Sequence, residues 1–266
     1  SSLYLLAKIC CLRPEILAVL KTAKRKQTEW RNVPVADRAS LCSRAMDVFT
    51  AKKEEIAEEI SWQMGRPIRY AAGEVDGFEE RARYMISIAE ESLADITVGE
   101  KAGFRRFIKR EPIGVVFTMA PWNYPYLTAV NSIIPAIMGG NAVILKHSSQ
   151  TPLCAERIAE AFNEADLPEG VFQYLHLSHK QSERVIRSPE IGFVCFTGSV
   201  SGGVTVETAA AGRFIGAGLE LGGKDPAYVR EDADLEYSVE TLVDGAYFNS
   251  GQSCCGIERI YVHRTV

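Results

Sequence analysis

The residues of this chain best suited to covalent chemistry are a cysteine and a glutamate, each in a glycine-rich segment. Cys254 lies in Phe248-Asn249-Ser250-Gly251-Gln252-Ser253-Cys254-Cys255-Gly256, and Glu220 lies in Leu219-Glu220-Leu221-Gly222-Gly223-Lys224. A thiolate can attack a carbonyl carbon, and a carboxylate can then activate the water that releases the acyl group. Burial of Glu220 between two leucines would make its carboxylate a stronger base. The pair therefore predicts acyl transfer at a thiol.

Polar or glycine residues also follow three of the predicted strands. They are Asn123 after 114–120, Lys146 after 142–145, and Gly198-Ser199 after 191–196. An asparagine amide can donate to a developing oxyanion, and a helix N-terminus at Gly-Ser can bind a phosphate. On the residues alone, each also has a structural interpretation: a turn asparagine, a lysine whose stem covers apolar surface, and a helix N-cap. Cys254 and Cys255 could likewise be small buried hydrophobic residues.

The segments from residue 112 onward predict the architecture that would bring these residues together. Short apolar runs predict strands over 114–120, 142–145, 171–175, 191–196 and 213–217. Helical periodicity predicts helices between them, over 126–138, 152–165, 181–187 and 201–211. This alternation is typical of parallel βαβ units in a doubly wound sheet, which binds ligands at the C-terminal ends of its strands.

The first hundred residues predict a mostly helical region. Apolar residues at helical spacing predict helices over 14–30, 35–64 and 71–94, and 104–111 is predicted as one strand of a hairpin. The apolar segment 3–12 predicts a buried or interfacial helix rather than a signal peptide, because no basic region precedes it.

Composition disfavours several classes of protein. The 266 residues carry a net charge of −4, whereas nucleic-acid-binding domains are usually basic. The chain has no run of about 18 apolar residues, so no membrane span is expected. The seven cysteines are odd in number and include no C-x-x-C pair, so neither a disulfide framework nor a metal site is expected. These features favour a reducing compartment, the cytoplasm or the mitochondrial matrix, over secretion.

In this order and spacing, the motifs resemble those of the aldehyde dehydrogenase superfamily. The resemblance rests on Pro121-Trp122-Asn123, Lys146…Thr151-Pro152, Leu167-Pro168-Glu169-Gly170-Val171, Phe196-Thr197-Gly198-Ser199, Leu219–Lys224 and Phe248-Asn249-x-Gly251-Gln252-x-Cys254. It implies an α/β fold, in which a Rossmann-like doubly wound parallel sheet follows an N-terminal helical region. It also implies three parts: the N-terminal helical part over 1–104, the dinucleotide-binding α/β core over 105–222, and the truncated beginning of a catalytic α/β domain over 223–266.

The resemblance implies a role for each matching residue. Cys254 aligns with the nucleophile, Asn123 with the oxyanion donor, and Glu220 with the base that activates water. The cofactor would be NAD or NADP, and no metal site is implied. The residues implied to contact the cofactor are Trp122, Lys146, Ser149, Gly198, Ser199, Gly202 and Leu221. Because Ser149 stands where NAD-preferring members often carry glutamate, NADP should be tolerated and is a candidate for the preferred cofactor.

The implied reaction is the oxidation of an aldehyde to a carboxylic acid through a cysteine thiohemiacetal and thioester. Family members are nearly twice as long, so an alternative is a truncated, non-catalytic homologue that acts as a structural or assembly subunit. A thiol acyltransferase would leave the polar strand ends unexplained. The partners implied are a small aldehyde and either a homo-oligomer, if the protein is full length, or a larger assembly, if it is truncated.

Substrate identity is only weakly constrained by the resemblance. It places five residues at the entrance of the aldehyde site. They are Tyr124, Leu127, Thr128, Asn131 and Phe248. The aromatic and small polar side chains of this set favour uncharged aldehydes or a broad range of them.

Overall fold

The computed structural model describes residues 13–266, and the first part of it is helical. The helices are α1 (Arg13–Trp30), α2 (Val35–Ala51), α3 (Lys53–Met64), α4 (Ile68–Ser87) and α5 (Ala89–Leu93). The prediction of one helix over 35–64 is wrong, because the backbone leaves helical geometry at Lys52 (φ −101°, ψ 18°). As predicted, α3 ends at Gly65, whose left-handed φ of 79° suits a residue without a side chain. The predicted helix over 3–12 lies outside the described residues.

A short antiparallel pair of strands links this region to the main sheet. Strand β1 (Ile96–Thr97) pairs with β2 (Phe107–Ile108), with Ile96 opposite Ile108. The hairpin predicted around 104–111 is therefore present, although its paired strand is only two residues long.

The main sheet contains five parallel strands connected by helices. Its elements are β3 (Val115–Ala120), α6 (Pro125–Met138), β4 (Ala142–His147), α7 (Leu153–Glu164), β5 (Phe172–Tyr174), α8 (His179–Ile186), β6 (Ile191–Gly198), α9 (Val200–Ala210) and β7 (Gly216–Leu221). The strand order is β5-β4-β3-β6-β7, and every pairing is parallel. The predicted doubly wound α/β fold is confirmed. The last strand begins later than the predicted 213–217 and extends through Glu220.

Apolar cores lie on both faces of this sheet. Along β3, Val115 and Phe117 belong to one core and Val116 belongs to the other, because successive side chains of a strand point to opposite faces. One core packs against α2, α4, α6 and α7, and includes the aromatic cluster Phe49, Phe78 and Tyr126. The other core packs against α1, α8 and α9.

The last part of the described chain follows β7 and carries the predicted nucleophile. It comprises β8 (Asp225–Val229), α10 (Leu235–Tyr247), a 3-10 turn (Phe248–Gly251) and β9 (Ile257–Val262). Strands β8 and β9 pair in parallel and form a separate two-stranded sheet. Cys254 lies in the connection between the 3-10 turn and β9.

The register of the main sheet brings four strand ends to one edge. Met119 of β3 pairs with Lys146 of β4 on one side and with Phe196 of β6 on the other. On β6 and β7, Thr197 pairs with Glu220. The polar segments that follow these strands therefore meet at the same edge, where doubly wound sheets bind ligands. Within residues 13–266, no helix is both long and apolar enough to cross a membrane.

Candidate active site

The C-terminal ends of β3, β4, β6 and β7 border a cleft of about 850 Å³. Its lining includes the three predicted catalytic residues, Asn123, Glu220 and Cys254. It also includes the predicted cofactor residues Trp122, Lys146, Gly198, Ser199 and Gly202. Two predicted cofactor residues do not line it. Ser149 is exposed after β4, and the side chain of Leu221 lies over Gly203 of α9.

Asn123 is joined directly to the loop that carries Cys254. The Asn123 side-chain nitrogen donates to the carbonyl oxygen of Gln252, at 3.1 Å. Gln252 is two residues before Cys254, so the amide group of Asn123 lies beside the segment 252–256 that carries the predicted nucleophile (the nucleophile loop). An amide nitrogen carries two hydrogens, and this bond uses one of them. The second hydrogen makes no hydrogen bond within residues 13–266, so it is available to a ligand in the cleft.

Glu220 is near the same loop but is not buried as the sequence predicted. Three residues after it, the Gly223 N–H donates to the Cys254 carbonyl oxygen at 3.2 Å, so the segment that follows β7 is directly bonded to the nucleophile loop. The Glu220 side chain is exposed. The prediction of a desolvated carboxylate is therefore wrong for residues 13–266, because β7 is the edge strand of the main sheet and each of its six residues is at least partly exposed.

The Cys254 thiol is accessible but not strongly acidic. Partial burial of the sulfur, followed by the neighbouring Cys255 thiol, raises the pKa of Cys254, while the main-chain N–H groups of Cys254 and Cys255 act in the opposite direction. Because the thiolate is the attacking species, Cys254 needs a base or a nearby positive charge to react at neutral pH.

The turn before Cys254 has an uncommon backbone conformation. Asn249, Ser250 and Gly251 have φ angles of 52°, 59° and 74°, three left-handed residues in succession. Such a conformation costs free energy for residues with side chains. The side chain of Asn249 compensates by donating to the carbonyl oxygens of Asn123 at 3.0 Å and of Gln252 at 3.1 Å.

A buried arginine and glutamate lie behind this turn, and sequence reasoning missed both. Arg66 stands between α3 and α4 and donates through Nε to the Asn249 side-chain oxygen at 2.8 Å. Its Nη1 pairs with Glu74 of α4 at 2.5 Å, and the side chains are 6% and 0% exposed. A signal was present in the sequence, since Glu74 falls on the same face of the predicted helix as Val75 and Phe78, where an unpaired carboxylate would be costly.

The cofactor side of the cleft contains an unpaired ammonium group. Burial lowers the pKa of Lys146, and no ion pair connects it to another residue in the described range. A half-buried cation without a counter-charge suits an anionic or polar ligand. Ser148, on the same segment, also lines the cleft.

The Gly198-Ser199 segment fits both interpretations of its sequence, as a helix N-cap and as a lining of the ligand cleft. Ser199 is the N-cap of α9 and accepts from the Gly202 N–H at 3.1 Å. A side-chain carbon added at Gly198 or at Gly202 would lie 2.6 Å from the Phe196 ring, so the two glycines give this ring its space. The segment thus has a packing role and also lies in the cleft.

His147 is a third residue that sequence reasoning missed. It follows Lys146 on β4 and therefore points to the opposite, buried face of the sheet. Its Nε2 donates to the Pro125 carbonyl oxygen at 3.0 Å, and its Nδ1 faces the Thr151 hydroxyl at 2.9 Å. Burial lowers the pKa of His147 to about 4, so the ring is neutral at physiological pH.

Known proteins share both the sequence and the arrangement of this chain. The model of the Aldehyde dehydrogenase family matches residues 10–266. A Synechocystis protein named "Probable succinate-semialdehyde dehydrogenase [NADP(+)]" is 36% identical over 252 residues, which cover 95% of this chain and 55% of that protein.

Solved structures of aldehyde dehydrogenases also superpose on this chain. An NADP-dependent glyceraldehyde-3-phosphate dehydrogenase from Bacillus halodurans, complexed with NADP, superposes with a TM-score of 0.91 at 32% identity, over 97% of this chain and 55% of that one. A succinic semialdehyde dehydrogenase from Streptococcus pyogenes in complex with NADP+ gives 0.89 at 28% identity, over 95% and 56% of the chains. The present chain spans about half the length of the relatives that it matches. It belongs to the aldehyde dehydrogenase family.

Proposed function

We propose that this chain supplies the nucleophile, the oxyanion donor and much of the cofactor site of an NAD(P)-dependent aldehyde dehydrogenase. The observation that carries the proposal is the bond from the Asn123 amide to the nucleophile loop, at the edge of a cleft that also holds Lys146. A purely structural subunit would not need an amide donor, an accessible thiol and a half-buried cation in one cleft.

The first step is addition of the Cys254 thiolate to the aldehyde. The sulfur forms a bond to the carbonyl carbon, and the carbonyl electron pair moves to the oxygen. The second N–H of the Asn123 amide and the Cys254 main-chain N–H donate to that oxygen. Because the pKa of Cys254 is raised, the thiol must first lose its proton, which passes to solvent at the exposed sulfur.

The second step is oxidation, and the third is hydrolysis. When bound, the nicotinamide ring supplies the hydride acceptor that converts the thiohemiacetal to a thioester. Glu220 then takes a proton from water, the hydroxide oxygen bonds to the acyl carbon, and the carbon–sulfur bond breaks. The carboxylic acid leaves, and Glu220 passes the proton to the Cys254 thiolate, so the chain returns to its starting state.

The residues of the cleft fit a dinucleotide. Trp122, Lys146 and Ser199 line it, and the N-terminus of α9 faces it with Gly198 and Gly202. Lys146 would hold the adenosine ribose or its 2′-phosphate, with Ser148 beside it and with Ser149 leaving space where a glutamate would repel that phosphate. The relatives named above are described with NADP, which supports use of NADP by this protein as well.

The aldehyde is expected to lie against the N-terminal part of α6. The relatives named for succinic semialdehyde act on a substrate with a carboxylate. Arg81 of α4 donates to the Leu127 carbonyl oxygen and to the Asn131 side chain, each at 3.3 Å, so a guanidinium does lie beside the predicted entrance. Carboxylated and uncharged aldehydes are therefore both substrates to be tested. The division into parts over 1–104, 105–222 and 223–266 is proposed as the functional organisation of the chain.

The test is formation of reduced cofactor by the protein in its full natural length. Succinic semialdehyde and butanal are compared, each with NAD and with NADP. Cys254→Ala should abolish turnover and leave cofactor affinity unchanged, whereas the matched variant Cys255→Ala should remain active. Glu220→Gln should retain a burst of reduced cofactor and slow the steady state. Cofactor binding without turnover by the wild-type protein would refute the proposal and favour a non-catalytic subunit.

A further inference from the structure

A buried ion pair outside the cleft is connected to both catalytic loops. Glu74 is fully buried on α4, and Arg66 is almost fully buried in the linker between α3 and α4. Neither residue lines the cleft. Burying two charges costs free energy that their mutual attraction only partly recovers, so such a pair contributes little to stability compared with an apolar replacement. Its other contacts therefore call for an explanation.

Glu74 fixes the start of α6. One carboxylate oxygen pairs with Arg66, and the other accepts from the main-chain N–H groups of Tyr126 and Leu127, both at 3.0 Å. These are unpaired donors in the first turn of α6, whose N-cap residue Tyr124 makes no capping bond with its own side chain. Asn123 comes directly before Tyr124. The carboxylate of Glu74, on another helix, therefore fixes the position of the main chain next to the proposed oxyanion donor.

Arg66 fixes the nucleophile loop. Its guanidinium donates to the Asn249 side chain at 2.8 Å and to the Asn123 carbonyl oxygen at 3.4 Å, and it lies 5.0 Å from the centre of the Tyr124 ring. Asn249 in turn donates to the Asn123 carbonyl oxygen. A guanidinium presents several donors in one rigid plane, so a single side chain holds both segments at fixed angles.

We propose that Arg66 and Glu74 are positioning residues: the pair clamps the left-handed turn before Cys254 and the start of α6, and so sets the placement of the thiol relative to the Asn123 amide. The kinetic consequence rests on the function proposed above, whereas the structural consequence does not. Loss of the clamp should loosen the turn locally and slow the chemical step, while binding of aldehyde and cofactor stays close to that of the wild type.

The first test measures the turn without requiring turnover. Hydrogen–deuterium exchange of a peptide covering 248–256 reports the Gln252 N–H, which donates to Asn249, and the Gly256 N–H, which donates to Ser253. Arg66→Met should accelerate exchange in this peptide by about tenfold or more and leave peptides of α2 and α7 unchanged. Arg83→Met is the matched control, since Arg83 pairs with Asp47 and Glu79 away from the cleft. Unchanged exchange at 248–256 in Arg66→Met would overturn the proposal.

The second test measures the chemistry in the full-length enzyme. Arg66→Met should lower kcat by about 100-fold with little change in KM, because misplacement by about 1 Å is enough for such a loss. Arg66→Lys keeps the charge and loses the planar fork, so its kcat should fall between those of the wild type and Arg66→Met. The double variant Arg66→Met/Asn123→Ala should be no slower than Asn123→Ala alone, because both substitutions disable the same donor.

A third variant separates positioning from simple charge compensation. Arg66→Met/Glu74→Gln removes both charges, so no uncompensated carboxylate remains buried, and the thermal midpoint should recover towards that of the wild type. Fast exchange at 248–256 and low kcat in this stable variant would support positioning. Recovery of slow exchange at 248–256 and of the wild-type kcat would overturn the proposal. If the wild-type enzyme itself does not oxidise aldehydes, the proposed function fails, and the exchange experiment still decides whether the clamp exists.

Discussion

The buried imidazole of His147 makes the stability of the protein depend on pH in a defined window. The His147 side chain is 2% exposed, and burial lowers its pKa from 6.5 to about 4. In the unfolded chain the ring takes up a proton near its ordinary pKa of about 6.5, whereas in the folded protein it stays neutral until about pH 4. The unfolded state thus binds more protons between these values, and the free energy of unfolding falls as the pH falls through the window.

The size of this effect follows from the shift in pKa. One pKa unit corresponds to about 1.4 kcal/mol, so the complete shift is worth about 3 kcal/mol. Between about pH 7.5 and about pH 5, the wild-type protein should lose about 2 kcal/mol of unfolding free energy through His147 alone. This part of the loss should be absent in a variant that does not titrate at the position.

His147→Gln is that variant, because an amide can still donate to the Pro125 carbonyl oxygen and accept from Thr151. Urea unfolding of both proteins at the two pH values gives four free energies. The change with pH should be smaller in His147→Gln by about 2 kcal/mol, while the other histidines contribute equally to both proteins. Equal changes in the two proteins would show that His147 is solvated or already charged, and would refute the reasoning.

Three further predictions concern cofactor choice, helix packing and thiol reactivity. Ser149→Glu should weaken NADP binding by about tenfold or more and leave NAD binding nearly unchanged, because the new carboxylate would face the 2′-phosphate. Fluorescence titration measures both affinities, and equal weakening of the two would contradict the prediction. Gly77→Ala should lower the unfolding free energy by about 1–3 kcal/mol, since the added carbon would lie 2.7 Å from the Leu127 side chain. Gly73→Ala, on the same helix with nothing within 4 Å, should be neutral or stabilising in the same urea experiment. In the folded protein, iodoacetamide should modify Cys254 and Cys255 and spare Cys42, as detected by peptide mass spectrometry. Cys42 is buried, and that burial raises its pKa to about 12. Rapid labelling of Cys42 would contradict this prediction and would mean that α2 opens.

Much of the fold could be predicted from local pattern. The main sheet follows from apolar runs that alternate with helical periodicity, and its strand ends follow from the polar residues after them. The break at Lys52 could not be predicted in this way, because a lysine is compatible with a helix and the apolar pattern continues across it. The strand that carries Glu220 is predicted too early in the chain, at 213–217, because Gly216 and Gly218 weaken the strand signal of the true segment.

The site residues that could be predicted are those that lie in the segments lining the cleft. Asn123, Lys146 and Cys254 each belong to a recognisable local motif and line the cleft. Arg66 and Glu74 act on the site from another part of the chain, and although Glu74 stands out as a carboxylate on an apolar helix face, the contacts of both residues with the site are seen only in the structure. The exposure of Glu220 was also not predictable, because the flanking leucines suggest burial while the neighbours of the strand determine it.

The contact between Arg66 and Asn249 has a consequence for the order in which the protein folds. The two residues are 183 positions apart, and Asn123 and Gln252 are 129 positions apart. Closing such long loops costs entropy that is recovered only when most of the intervening structure is formed. The turn that precedes Cys254 should therefore acquire its left-handed conformation after the main sheet, late on the folding pathway. Substitutions at Arg66 should then accelerate unfolding more than they slow folding, because the contacts they remove are absent from the transition state.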